Sequence, residues 1–203
     1  MNMDILHQKN QGEFSQMNKI WITSDLHFGH QRDFLWAPRG FNSIYEHDKQ
    51  IIKNWNELVV DDDIVYVLGD LMLNDDAYGR SCFNQLKGFK YLVIGNHDTD
   101  TRLIFYPFLR GVEDVQYAYR LQYKKYRFFL THYPTLTGNF DDKGLHTKTI
   151  NLCGHTHTKD PFADWDKGIV YHCELDAHNN RPVALDKIIE DIKIKYNEVN
   201  ENE

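Results

Sequence analysis

Five short apolar runs punctuate this chain: Lys19–Ser24, Asp63–Leu68, Lys90–Ile94, Tyr126–Thr131 and Thr149–Leu152. Each has strand length and β-branched or aromatic content, which predicts β-strands. Each is also followed by polar residues of one chemical kind. Asp25-Leu26-His27 follows the first, Gly69-Asp70 the second and Gly95-Asn96-His97-Asp98 the third. His132 follows the fourth, and Gly154-His155-Thr156-His157 the fifth. Polar groups beyond the carboxyl end of a buried strand are where open α/β sheets place their ligands.

Between the early strands the pattern changes to a helical period. Ser43-Ile44-Tyr45-Glu46 has the form of a capping box, and Ile44, Ile51, Ile52, Trp55 and Val59 follow at near-helical spacing. A second helix is predicted from Asp75 to Leu86, stopping at Gly88, and a third from Asp186 to Tyr196 with Ile188, Ile189 and Ile192 on one face. From Val112 onward the chain turns β-rich. Val115–Leu121 and Tyr126–Leu130 flank Gln122–Lys125 as a hairpin, and Ile169–Leu175 adds a strand. The fold class expected is α/β (an α+β sandwich): two packed mixed β-sheets flanked by helices. Residues 1–18 read as an N-terminal extension, 19–196 as a single domain and 197–203 as a frayed acidic tail.

Composition narrows the function more than the fold. A chain of 203 residues, 41% hydrophobic and 26% charged, can bury a sizeable core. Its formal net charge of −7 argues against a broad basic surface for long polyanions, so stable binding of duplex nucleic acid is not expected. Small phosphorylated substrates fit better. Cys82, Cys153 and Cys173 are scattered and lack CxxC spacing, which indicates a reducing compartment and no disulfide framework. No apolar run approaches the ~18 residues needed to cross a bilayer. A cytoplasmic location without membrane association is the expectation; oligomeric state is left open.

Taken singly, the polar clusters have ordinary explanations. Gly-Asp is common turn chemistry, and a lone histidine such as His132 is usually structural. At an extended strand end, Asp25 and His27 would point to one side and could chelate. Asp70 has two oxygens and could bridge, Asn96 offers a neutral carbonyl oxygen, and His97 could donate a proton. Together the clusters supply two carboxylates, one amide and four imidazoles, with His97 left over. This set, free of thiolates, suits divalent ions such as Mn, Fe, Co, Ni or Zn.

In this order the motifs resemble the signature of the calcineurin-like metallophosphoesterases: Asp-x-His, Gly-Asp, Gly-Asn-His-Asp/Glu, His, Gly-His-x-His. The resemblance covers Lys19 to about Leu185. Asp25-Leu-His-Phe-Gly-His30 and Asp176-Ala-His-Asn-Asn-Arg-Pro-Val183 are similar to the small, single-domain bacterial and phage branch. The resemblance implies one metal on Asp25, His27, Asp70 and His157, and a second on Asp70, Asn96, His132 and His155, with Asp70 shared. It implies two divalent ions, manganese foremost, with iron, nickel, cobalt or zinc as alternatives. A hydroxide between them is the implied nucleophile and His97 the implied general acid. Asp98 is expected to orient a neighbour, and His30 to touch substrate or support a ligand, unless it is merely a polar residue at a helix start.

The function expected is hydrolysis of a small, nucleotide-type phosphodiester. The alternatives are a small phosphomonoesterase and a catalytically silent binding module on the same fold. Protein-phosphatase relatives carry an arginine shortly after Gly-Asp, and Leu71–Asp75 holds none here.

Overall fold

The computed structural model describes residues 18–139 and 144–200. Most of the extension read at 1–18 and the last three residues of the acidic tail therefore lie outside the described residues. In chain order the elements are β1 (Ile20–Thr23), α1 (Asp33–Trp36), α2 (Ile44–Leu58), β2 (Ile64–Val67), α3 (Asp76–Phe83), β3 (Phe89–Val93) and α4 (Asp100–Leu103). Then follow β4 (Val112–Gln116), β5 (Ala118–Tyr123), β6 (Tyr126–Thr131), β7 (Thr149–Cys153), β8 (Val170–His172), β9 (Val183–Ala184) and α5 (Leu185–Asn200).

Two mixed sheets result. The first has the order β4-β3-β2-β1-β9, parallel except for β9; the second has the order β5-β6-β7-β8, parallel except for β5. Alternation along the strands divides the core. Ile22, Tyr66 and Leu68 face the second sheet and meet Phe128, Leu130, Ile150 and Leu152 there. Trp21, Val65 and Val67 turn the other way and pack with Ile51 and Trp55 of α2 and Phe83 of α3. Both faces of β1 and β2 are thus buried, which is why these strands read as continuous apolar runs.

Capping explains where the helices begin. Ser43 accepts from Glu46 N–H at the start of α2, while the Glu46 carboxylate reaches Asn42 instead of closing the box on Ser43. Asp75 caps α3 by accepting from Tyr78 N–H. Asp63, directly before β2, is buried and accepts from Lys19 N–H, Val60 N–H and Trp21 Nε1–H, tying β1 to β2.

Three predicted boundaries move. The run Val115–Leu121 is not one strand: it splits at Tyr117, β4 pairing in parallel with β3 and β5 pairing antiparallel with β6. The Ile169–Leu175 strand is only Val170–His172, because the chain then turns into a short 3-10 helix at Leu175–His178. Finally, α5 runs to Asn200, so 197–200 is helical instead of frayed. Tyr196 still packs on the core there, and no glycine or proline follows to stop the helix.

Candidate metal centre

The strands that precede the five polar clusters present their carboxyl ends on one side of the sandwich. Asp25, His27, Asp70 and His132 form a buried floor; His97, His155 and His157 are half-buried and Asn96 is exposed at the mouth. The backbone here is not the extended continuation that Asp-x-His suggested. Asp25, His27, Asp70, His155 and His157 all lie in the left-handed region, with φ of 59°, 50°, 55°, 76° and 53°. For non-glycine residues this region is strained and is concentrated at functional sites. Each strand end is thereby turned sharply so that alternate side chains converge.

Hydrogen bonds hold these turns in place. Asp25 N–H donates to Gly69 O (3.1 Å) and His27 N–H to Asp70 O (2.9 Å), pairing the loops after β1 and β2. His155 N–H donates to Asp25 Oδ2 (2.9 Å), and His97 N–H to Asp70 Oδ1 (2.8 Å). Asp98 points inward and accepts four bonds: from Asp70 N–H, Leu71 N–H, Gly95 N–H and the Tyr106 hydroxyl. Its carboxylate ties the Gly-Asp loop to Gly95 and Tyr106. Two motif glycines are needed for close approach. A Cβ on Gly95 would collide with the Asp70 carboxylate, and one on Gly154 with the side chains of Ser24 and Asp25.

The donor atoms form two seats. In one, Asp25, His27 and His157 offer atoms within 4.8 Å of one another; in the other, Asp25, Asp70 and His132 do so. Asp70 Oδ2 lies 3.6 Å from both His27 Nε2 and His132 Nε2, between the seats. Asn96 Oδ1 completes the second, 2.8 Å from His132 Nε2 and 2.8 Å from His155 Nδ1.

Tautomers show what these seats lack. In the neutral ring His132 Nδ1 donates to Leu68 O (2.8 Å), which leaves a lone pair on Nε2. That lone pair faces Asn96 Oδ1 and His155 Nδ1, and at most one proton, from His155, is available to the three atoms. In the first seat Asp25 Oδ1 is buried with no hydrogen-bond partner, and His27 Nε2 faces His157 Nε2 at 3.2 Å. Converging lone pairs and orphaned buried acceptors are unfavourable until a cation joins them, so the donor set fits divalent metal. The electrostatics agree. Burial pushes the His27 imidazole down to about 3, leaving it neutral and ready to ligate. Burial raises the Asp70 carboxyl to about 7 despite the nearby His132. Burial would also lower His157, but the Asp176 hydrogen bond and the charges of Asp25 and Asp176 outweigh it and raise the imidazole, as expected where acidic groups gather without a cation.

The structure thus brings together all seven expected ligand positions, with His97 beside them: its ring meets that of His27 edge-on at 5.5 Å. His30 is buried, its ring edge-on to His27 at 5.6 Å and to the exposed Phe34 at 5.2 Å. Sequence reasoning missed a buried scaffold around His157. Asp176 accepts from His157 Nδ1–H (2.9 Å), and Arg39 forks onto Asp176 (3.1 and 2.7 Å) while donating to Asp25 O (3.0 Å). Asp176 stood in the closing motif, which was the available signal; Arg39 offered none. His172, given no role from sequence, is buried between Asp164 (3.0 Å) and Glu174 (3.2 Å). Glu174 also accepts from the Thr156 hydroxyl and Thr158 N–H, steadying the loop that carries His155 and His157.

Comparison with known proteins agrees with this geometry. The chain is 34% identical over 181 residues to a protein of Methanocaldococcus jannaschii, covering 85% of this chain and 90% of that one. It is 29% identical over 166 residues to the gene 66 protein of Mycobacterium phage L5, covering 70% and 79% respectively. Its fold is similar to the crystal structure of a protein from Aquifex aeolicus, with a TM-score of 0.66 at 20% identity, over 85% of this chain and 98% of that one. The family model for calcineurin-like phosphoesterases matches residues 18–201, which contain all of the described fold and every polar cluster in it, and the chain belongs to that metal-dependent hydrolase family.

Proposed function

We propose that this protein is a dimetal phosphodiesterase that cleaves a small, nucleotide-type phosphodiester. The observation that carries this reading is the pair of lone-pair seats joined at Asp70 Oδ2, 3.6 Å from His27 and from His132. In the proposed assignment Asp25, His27, Asp70 and His157 would hold one ion; Asp70, Asn96, His132 and His155 would hold the other. Mixed nitrogen and oxygen donors favour manganese or a similar ion, Fe, Co, Ni or Zn. When bound, the ions would neutralise charge on the phosphoryl oxygens and lower the pKa of water.

The chain's own residues do the rest. His97, at the mouth beside His27, donates a proton to the leaving ester oxygen. Asp98 fixes the backbone of Asp70 and Gly95, and Asp176 with Arg39 aims His157. The guanidiniums that touch the site loops are committed elsewhere: Arg39 to Asp176, and Arg102 to Asp76 (2.7 Å) and His97 O (2.6 Å). Neither is free to clamp a monoester dianion, whereas a diester carries one charge and needs less. The formal charge of −7 favours a small substrate over a long polyanion, and three free buried cysteines suit the cytoplasm. No helix among the described residues is long and apolar enough to cross a membrane.

The test compares kcat/KM of the Mn2+-loaded chain for bis(p-nitrophenyl) phosphate and p-nitrophenyl phosphate. The diester is expected to be preferred. A tenfold preference for the monoester would replace this reading with a phosphatase. Two bound metals with no turnover of either compound would replace it with a binding module.

A further inference from the structure

Beside the second seat lies an open groove of about 730 Å³, lined by Tyr133, Leu136, Thr156, Asp164, Lys167 and Val170 among others. We propose that it holds the ester substituent that remains on phosphorus, and that this substituent is a planar aromatic ring of nucleobase type. The proposal rests on the phosphodiesterase reading above and specifies its substrate.

Position argues first. Tyr133 and Thr156 directly follow His132 and His155 in the chain, so the inner wall is continuous with the metal centre. The Tyr133 ring meets that of His155 edge-on at 4.6 Å and that of His132 at 5.0 Å. His97 stands instead beside His27, at the other seat. A diester spanning both seats would send its leaving group toward His97 and its retained group toward Tyr133.

Lining chemistry selects the class. Tyr133 and Leu136 remain 49% and 71% exposed, an apolar pair offered to solvent beside a polar centre. Lys167 donates to Asp164 (2.6 Å), whose other oxygen is held by the buried His172 (3.0 Å). The ammonium protons and carboxylate lone pairs that this pair leaves over face the same groove and match the mixed donor and acceptor edge of a base, which disfavours an acyl chain. Sequence-tolerant stacking on an exposed aromatic ring is the usual way a base is held.

Two esters with the same leaving group test this: thymidine 5′-(p-nitrophenyl phosphate) and methyl p-nitrophenyl phosphate. The Mn2+-loaded full chain is expected to prefer the nucleoside ester at least tenfold in kcat/KM. In Tyr133→Ala that ratio should fall roughly five- to one-hundred-fold, the range of one stacked base. Leu136→Ala, farther from the histidines in sequence, should lower the ratio in the same direction. A wild-type ratio near one, or a ratio unmoved in both variants, overturns the proposal. Calorimetric binding of thymidine 5′-monophosphate against methyl phosphate separates it from the reading beneath it. Nucleotide binding that depends on Tyr133, in a chain that hydrolyses neither ester, would sustain the groove and remove the diesterase. Hydrolysis of both esters without nucleotide preference in rate or binding would do the reverse.

Discussion

His97 touches Asp70 through its backbone and the reaction, in our proposal, through its ring. Its N–H donates to Asp70 Oδ1 (2.8 Å), a bond that alanine also makes. His97→Ala is therefore expected to retain both metals by elemental analysis while kcat falls ~10²–10⁴-fold, the usual range for a general acid. The loss should shrink for esters whose leaving group has a low pKa; equal losses across leaving groups would remove the role. At this scale the sequence was most informative, because the expected donors are limited to a few residue types and stand directly after recognisable strands. Arg39 and Asp176 were less legible for a physical reason. They are 137 positions apart and acquire meaning only when the fold brings them together on His157. His172 is similar: its importance lies in carboxylates on both ring nitrogens, which no spacing announces.

Elements were legible where both faces or one whole stripe is buried, as in β1, β2 and α2. They were less so where one apolar run serves two sheets. Val115 and Leu121 carry the same alternation, yet the chain leaves the first sheet and enters the second between them, at Tyr117. Periodicity is identical on both sides of that crossing and cannot locate it. The last helix was recognised by its stripe but ended too early. Its buried Ile188 and Ile192 join the cluster between the sheets, alongside Phe128 and Tyr171. Ile192→Ala should accordingly destabilise the fold by about 2–5 kcal/mol, read as a lower urea midpoint with an unchanged slope. Metal content per folded chain should not change. A midpoint within error of wild type would mean that α5 does not seal the sandwich.

For the whole molecule, the important fact is that the proposed ligands come from both sheets. Asp25, His27, Asp70 and Asn96 follow strands of the first, while His132, His155 and His157 follow strands of the second. Metals held there would cross-link the sandwich as well as serve chemistry. At a free metal concentration a hundredfold above Kd each ion contributes about 2.7 kcal/mol, or roughly 5–10 °C in Tm per ion for a chain of this size. Scanning calorimetry with and without a chelator checks this, and an unchanged Tm on removal of bound metal would count against it. The five left-handed residues have a further consequence, for descent. Each holds a side chain in a conformation that glycine adopts freely and other residues adopt at about 1–2 kcal/mol. Glycine would relieve that strain at each position, but at the buried Asp25 and Asp70 it would also strand the His155 and His97 N–H groups that their carboxylates accept. Silent descendants of such a chain should therefore lose the half-buried His155 and His157 before the buried Asp25 and Asp70.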